Sequence, residues 1–281
     1  AVAIRLVESD SLPTVTLSSA SSVSEDGSDL IITATSSIPS AYSIEITIDG
    51  TSGSASEGDD FATVSNFTIP IGGTSAQTTF NPTDDTGCYE GTETAVIKAT
   101  SLYHNRATIP GNPQTSISIT ENEVAPIVTL ITSDTSATED GSDLTLTSTL
   151  SNCTFENVVV TLTGSGTATD DTDYAMGNIT VTTGNTSATT TFNPTPDDLY
   201  DATSAETATI DVTNVSGGGA TEHGTAQQVS ITLADNDSAP TVTLATSANT
   251  IYDNQSDLTL TATLTNATYQ NVVVTLLGSG T

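Results

Sequence analysis

The sequence predicts an all-β protein made of tandem immunoglobulin-like Greek-key β-sandwiches of about seven strands each. Three observations lead there. Apolar residues alternate with polar ones in short runs separated by turn residues every 8 to 15 positions. Helix-favouring residues are scarce, roughly a third of the chain is Ser or Thr, and no window carries an amphipathic 3.6-residue period. The whole pattern also returns on itself. Pro13-Thr-Val-Thr-Leu17 recurs as Pro126-Ile-Val-Thr-Leu130 and as Pro240-Thr-Val-Thr-Leu244, a period of about 114 residues.

In this register, residues 1–12 match only the last strand of a repeat, through Ala3-Ile-Arg-Leu-Val-Glu-Ser-Asp10. Residues 13–125 and 126–239 are two full repeats, and 240–281 supplies the first strands of a further one. A segment that starts and stops inside a sandwich is expected to come from a longer array, or from a filament whose neighbours complete the partial repeats. In the first repeat, strands are expected at Val15 to Leu17, Leu30 to Thr35, Ile44 to Ile48, Phe61 to Ile69, Ala76 to Phe80, Thr94 to Thr100 and Thr115 to Thr120. The second repeat gives Leu144 to Thr149, Val158 to Leu162, Ile179 to Thr182, Ala188 to Phe192, Ala208 to Val212 and Gln228 to Leu233.

The charge balance narrows the function. Against 34 Asp and Glu stand three basic residues, Arg5, Lys98 and Arg106, for a formal net charge of -31. Nothing is available to neutralise phosphates or to dock on an anionic membrane, so nucleic acid and membrane surfaces are excluded as partners and cations are favoured. No run of 18 apolar residues occurs and the N-terminus lacks a signal-peptide pattern, so any export signal is expected outside this segment.

The acidic residues cluster, and the clusters keep their order in both full repeats. The first has Glu25 and Asp26, then Asp59 and Asp60, Asp84 and Asp85, Glu90 and Glu93, and finally Glu121 and Glu123. The second has Glu139 and Asp140, then Asp170, Asp171 and Asp173, Asp197, Asp198 and Asp201, Glu206, and finally Asp235 and Asp237. Unit charges 4 Å apart interact by roughly 1 to 4 kcal/mol in wet to intermediate surroundings, so carboxylates gathered in one corner need a counter-ion. Calcium takes six to eight oxygen ligands, several of them carboxylates, and is the expected one.

The set of motifs resembles the Calx-beta family. Ser24-Glu-Asp-Gly27 and Thr138-Glu-Asp-Gly141 are similar to its acidic-Gly turn, and Gly58-Asp-Asp-Phe61 and Asp171-Thr-Asp-Tyr174 to its Asp-aromatic motif. Asp84-Asp85 through Glu93 and Asp197-Asp198 through Glu206 resemble its acidic pair and following glutamate, and Glu121-Asn-Glu123 and Asp235-Asn-Asp237 its closing motif. The resemblance implies calcium ligands at Glu25, Asp60, Asp85, Glu121 and Glu123 in the first repeat, and at Glu139, Asp173, Asp198, Asp235 and Asp237 in the second, with the ions near the inter-domain junction. The third copy departs, with Asp253-Asn-Gln in place of Glu-Asp-Gly. A cadherin-like repeat is the rival, since its linkers also end in acid-Asn-acid near a proline. The chain has no Asp-Arg-Glu or Pro-Glu-Asn, whereas the Asp-aromatic motif is present, which favours Calx-beta.

Other chemistry finds little support. His104 and His223 sit in loops without a nucleophile at a recurring spacing, and Gly217-Gly-Gly219 lacks the lysine of a phosphate-binding loop. Cys88 and Cys153 occupy non-equivalent positions of two repeats and read as isolated thiols, with a disulfide between domains or chains as the alternative. The expected protein is therefore a non-enzymatic, calcium-binding structural repeat of an extracellular, microbial adhesin stalk, matrix or surface filament, whose partners are calcium ions and neighbouring repeats or identical chains. The alternative is a calcium-sensing regulatory tandem attached to a membrane protein.

Overall fold

Alternating sequences place every second side chain on one face of a strand, and two such faces pressed together make a sandwich. In the computed structural model, which describes residues 11–84, 87–102, 107–201, 205–254 and 256–280, this is the architecture of each of the two full repeats. The strand expected at Ala3 to Asp10, the candidate ligand Asp85 and His104 fall outside the described residues. No helix occurs among the described residues, and none is long and apolar enough to cross a membrane. Two compact units result, one within Ala1–Ala125 together with Asn152–Phe155, the other Pro126–Ser151 with Glu156–Thr281.

Among the described residues the first unit has eight strands: β1 (Val15–Ser18), β2 (Ser22–Ser24), β3 (Leu30–Ser36), β4 (Ile44–Gly53), β5 (Phe67–Ile69), β6 (Ser75–Phe80), β7 (Glu93–Leu102) and β8 (Gln114–Thr120). They form a three-stranded sheet in the order β1-β3-β6 and a five-stranded sheet in the order β2-β8-β7-β4-β5. Alternation fills the space between them. Ile32 and Ala34 of β3, Ile44 and Ile46 of β4, Ala95, Ile97 and Ala99 of β7 and Ile117 of β8 are buried, while their sequence neighbours face outward.

The second unit repeats the plan with β9 (Ile127–Thr132), β10 (Ser136–Thr138), β11 (Leu144–Leu150), β12 (Val158–Gly166), β13 (Tyr174–Met176), β14 (Ile179–Val181), β15 (Ser187–Pro194), β16 (Leu199–Tyr200), β17 (Glu206–Ser216), β18 (Thr221–Glu222) and β19 (Gln228–Ala234). Its sheets run β13-β15-β11-β9-β18 and β10-β19-β17-β12-β14. The same unit includes β20 (Val242–Thr246), β21 (Leu260–Leu264) and β22 (Ala267–Thr268). Strands β20 and β21 pair antiparallel, and β22 pairs parallel with β16.

One stacked aromatic pair centres each core: Phe61 on Phe80 at 4.8 Å between ring centroids, and Tyr174 on Phe192 at 4.6 Å. The packing is close enough to dictate a glycine. A Cβ on Gly164 would lie 1.9 Å from the Tyr174 hydroxyl, so only glycine admits the ring beneath β12.

Two expectations need correction. The run Phe61 to Ile69 is a strand only from Phe67 onward. Phe61 is instead pinned into the core by a turn in which the Asp59 and Asp60 amides donate to the Ser56 carbonyl and the Phe61 carbonyl accepts from the Gly58 amide. Cys88 and Cys153 are not isolated thiols but form a disulfide, their Cα atoms 4.6 Å apart, because residues 152–155 fold with the first unit. Their repeat positions differ, so internal symmetry gives no hint of the pairing.

Candidate metal centre

The parallel pairing of β2 with β8 builds the first centre. Ser24 lies opposite Thr120, so both chains leave the sheet side by side, and the next residue of each is acidic. Glu25 and Glu121 emerge together, followed by Glu123, and one carboxylate oxygen from each of the three lies within 4.8 Å of the others. Backbone amides fix the arrangement: Asn122 donates to Glu25 Oε1 at 2.7 Å, and Glu90 and Gly91 both donate to Glu121 Oε2 at 2.7 Å. Glu25 is 4% exposed, a depth at which a carboxylate needs compensation. Burial opposes ionisation of Glu121, but hydrogen bonds from Glu25, Gly91, Glu90 and Glu123 outweigh it and hold its carboxyl at about 2. Glu123 is pushed up, by its hydrogen bond to Glu121 and then by burial.

A second group in the same unit joins Asp60, Glu90 and Glu93. Glu93 opens β7 and pairs with Ile119 near the end of β8, which brings the start of β7 to the acidic end of the sheet. Asp60 arrives through the turn that buries Phe61, its Oδ2 accepting from the Ser56 amide. Together with Ser56, Gly58, Asp59 and Phe155, these residues line a cavity of about 480 Å³.

The second unit repeats the design. Thr138 lies opposite Ala234 in the parallel pair β10–β19, so Glu139 emerges beside Asp235. Glu139, Asp197 and Asp237 bring carboxylate oxygens within 4.8 Å of one another. Asp235 plays the part of Glu121: its Oδ2 accepts from the Asp201 amide at 2.6 Å and its Oδ1 from the Asp237 amide at 2.6 Å. Asp173 Oδ2 accepts from the Thr169 amide at 2.6 Å. Asp173 also lines, with Glu139, Asp197, Asp201, Glu206 and Tyr269, a cavity of about 410 Å³.

The electrostatics of this corner are unfavourable to ionised carboxylates. Burial and the neighbouring Asp197, Asp235, Asp237 and Glu206 push Glu139 up to about 7. Glu206 is raised by burial and by Asp173 and Asp201, and Asp237 by burial and by Asp235 and Asp198. Glu123 Oε2, Glu139 Oε2 and Asp237 Oδ2 are shielded from solvent and accept no hydrogen bond. Lys98, the lone lysine or arginine among the described residues, donates to Ser52 Oγ at 2.7 Å instead. Carboxylates converging in threes, with a shielded oxygen that accepts no hydrogen bond on Glu123, Glu139 and Asp237, have the chemistry of a hard divalent cation's ligand set.

Of the residues singled out in the sequence, the structure groups Glu25 with Glu121 and Glu123, Asp60 with Glu90 and Glu93, and Glu139 with Asp237. Asp173 lines the second unit's cavity, and Asp235 organises amides. Asp198 stands outside the trio, where its neighbour Asp197 takes the place. Glu90, Glu93 and Asp197 belong to the acidic clusters of the sequence but not to the expected ligand set. The signal that identifies Glu93 is strand register, since it opens β7 opposite the end of β8.

No protein-family model matches the chain, and no curated protein matches it. Among solved structures, CBD12 from CALX1.2 is 12% identical with a TM-score of 0.36, covering 78% of this chain and 99% of that one. The calcium binding domain CBD12 of CALX1.1 is 15% identical with a TM-score of 0.34, covering 69% and 77%. The apo-form Calx CBD1 domain is 14% identical with a TM-score of 0.36, covering 40% and 100%.

Proposed function

We propose that the chain is a non-enzymatic, calcium-binding structural repeat of an extracellular, microbial adhesin stalk, matrix or surface filament. The observation that carries this reading is the convergence of carboxylates from sequence-distant segments into trios, in which Glu123, Glu139 and Asp237 each keep a solvent-shielded oxygen that accepts no hydrogen bond and each have a carboxyl pushed above its ordinary range. Glu25, Glu121 and Glu123 would hold an ion in the first repeat, and Glu139, Asp197 and Asp237 in the second, with Asp60, Glu90 and Glu93 as a further set.

Bound calcium supplies the positive charge that offsets carboxylate repulsion. The chain's own residues do the rest: backbone amides orient Glu121 and Asp235, and strand register delivers the remaining ligands. Since Glu123 and Asp237 stand within a few residues of Pro126 and Pro240, where the next repeats begin, ions there would stiffen the connections between successive repeats. The partners of such a rod are calcium and neighbouring repeats or identical chains.

Replacing Asp235 and Asp237 by Asn tests the reading. The double variant is expected to lose calcium binding in the second repeat while both sandwiches stay folded. Small-angle scattering in calcium should then show a less extended chain than the parent. Unchanged calcium affinity and scattering would contradict the proposal.

A further inference from the structure

The loop Gly87–Gly91 has two attachments. On one side its Glu90 and Gly91 amides grip Glu121 Oε2. On the other it holds the tip that joins β11 to β12. Cys88 is bonded to Cys153, the Tyr89 amide donates to the Cys153 carbonyl at 2.9 Å, and the Phe155 amide donates to the Tyr89 carbonyl at 3.2 Å. Thr154 between them is 2% exposed, and Phe155 lines the cavity of Asp60, Glu90 and Glu93.

The second unit has the same scaffold without sulfur. Leu199 and Tyr200 pair with Ala267 and Thr268, the Tyr269 amide donates to the Tyr200 carbonyl at 3.3 Å, and the Asp201 amide grips Asp235. By bridge register, in which Tyr89 faces Thr154 as Tyr200 faces Thr268, Leu199 stands for Cys88 and Ala267 for Cys153. One of two otherwise matching loops is therefore covalently fixed, and it is the loop that supplies amides to the first acidic centre.

We propose that the Cys88–Cys153 disulfide is a redox-sensitive latch on the first acidic centre: oxidised, it fixes loop Gly87–Gly91 where its amides hold Glu121, and reduced, it frees the loop and weakens cation binding there. The inference rests on the calcium reading. The switching chemistry is thiol–disulfide exchange with a dithiol. A reductant thiolate attacks one sulfur, the Cys88–Cys153 bond breaks, and the departing thiolate takes a proton. The reductant's second thiol then displaces the other cysteine, leaving two Cys thiols and one oxidised, cyclic dithiol. A freed loop must be ordered again when the ion binds, so cross-link and ion support each other reciprocally.

Calcium titration calorimetry of the full chain, oxidised and in dithiothreitol, tests the latch. With Glu93→Gln in the background to silence the set of Asp60, Glu90 and Glu93, Asp237→Asn leaves the first centre to be read alone and Glu123→Gln leaves the second. Reduction is expected to weaken calcium at the first centre about fivefold or more and to leave the second within about twofold. The Cys88→Ser/Cys153→Ser variant should match the reduced affinity and ignore dithiothreitol. Amide exchange at Tyr89 and Phe155 should speed up on reduction. Equal affinities in the two redox states, or an equal fall at both centres, would overturn the latch while leaving the calcium reading intact. Absence of calcium binding in the oxidised protein would contradict both.

Discussion

Metal-free protein gains stability as the pH falls from about 8 to about 5, and saturating calcium reverses the trend. The sign follows from the carboxyls that the fold pushes up. Glu139 titrates at about 7 in the folded state against an ordinary value of 4.5, and Glu206, Asp237 and Glu123 are raised in the same direction. Across this window the folded state binds protons that the unfolded chain does not, so lowering the pH relieves a repulsion present only in the fold. A tenfold change in proton affinity corresponds to about 1.4 kcal/mol, and solvent screening of these partly exposed groups brings the Glu139 contribution to about 1–2 kcal/mol. Glu121 acts oppositely at lower pH: its carboxyl sits at about 2, so its stabilisation is lost from about 4.5 downward. A stability maximum near pH 5 is expected without metal. With calcium bound, protons compete with the ion and stability falls with pH instead. Urea unfolding at several pH values, in chelator and in calcium, reads both slopes. A Glu139→Gln variant should flatten the metal-free slope, and identical slopes in the two conditions would refute the assignment.

Truncating the second core aromatic carries the other large effect. Phe192 is fully buried against Tyr174, so Phe192→Ala is expected to destabilise the second unit by about 3–5 kcal/mol. Tyr174→Phe is the contrast. The Tyr174 hydroxyl is shielded, accepts and donates no hydrogen bond, and is pushed up to about 12 by burial and by Asp170 and Asp173. The first repeat already places Phe61 at this position, so the variant is expected to cost under about 1 kcal/mol or to stabilise. Denaturant midpoints of the two variants separate the loss of a packed ring from the loss of an oxygen. Equal destabilisation by both would contradict this account of the core.

The β-sandwich class was legible because alternation and a 114-residue repeat are properties of the sequence itself. What escaped depends on how the chain turns. The run from Phe61 to Ile69 alternates like a strand, yet the Ser56 to Asp60 turn commits Phe61 to the core and leaves only Phe67–Ile69 paired. The ordered acidic clusters already singled out Glu25, Glu121, Glu123, Glu139 and Asp237, and the structure groups them because Glu25 and Glu121, like Glu139 and Asp235, directly follow parallel-paired strands. Choosing between Asp197 and Asp198, or seeing that Glu90 and Glu93 face Asp60, requires the loop's path, which has no periodicity to read. The Cys88–Cys153 bond escaped for a related reason. Repeat alignment compares equivalent positions, whereas this bond joins a loop of one repeat to a hairpin tip of the next in sequence.

Thermal unfolding of the unmodified chain in EDTA and in millimolar calcium tests the central claim most directly. An ion held by the acidic centres stabilises by about 2.7 kcal/mol per centre at a hundredfold excess over the dissociation constant, so the midpoint should rise in calcium and keep rising with its concentration. Unfolding at the same temperature in both solutions would contradict the calcium-binding account.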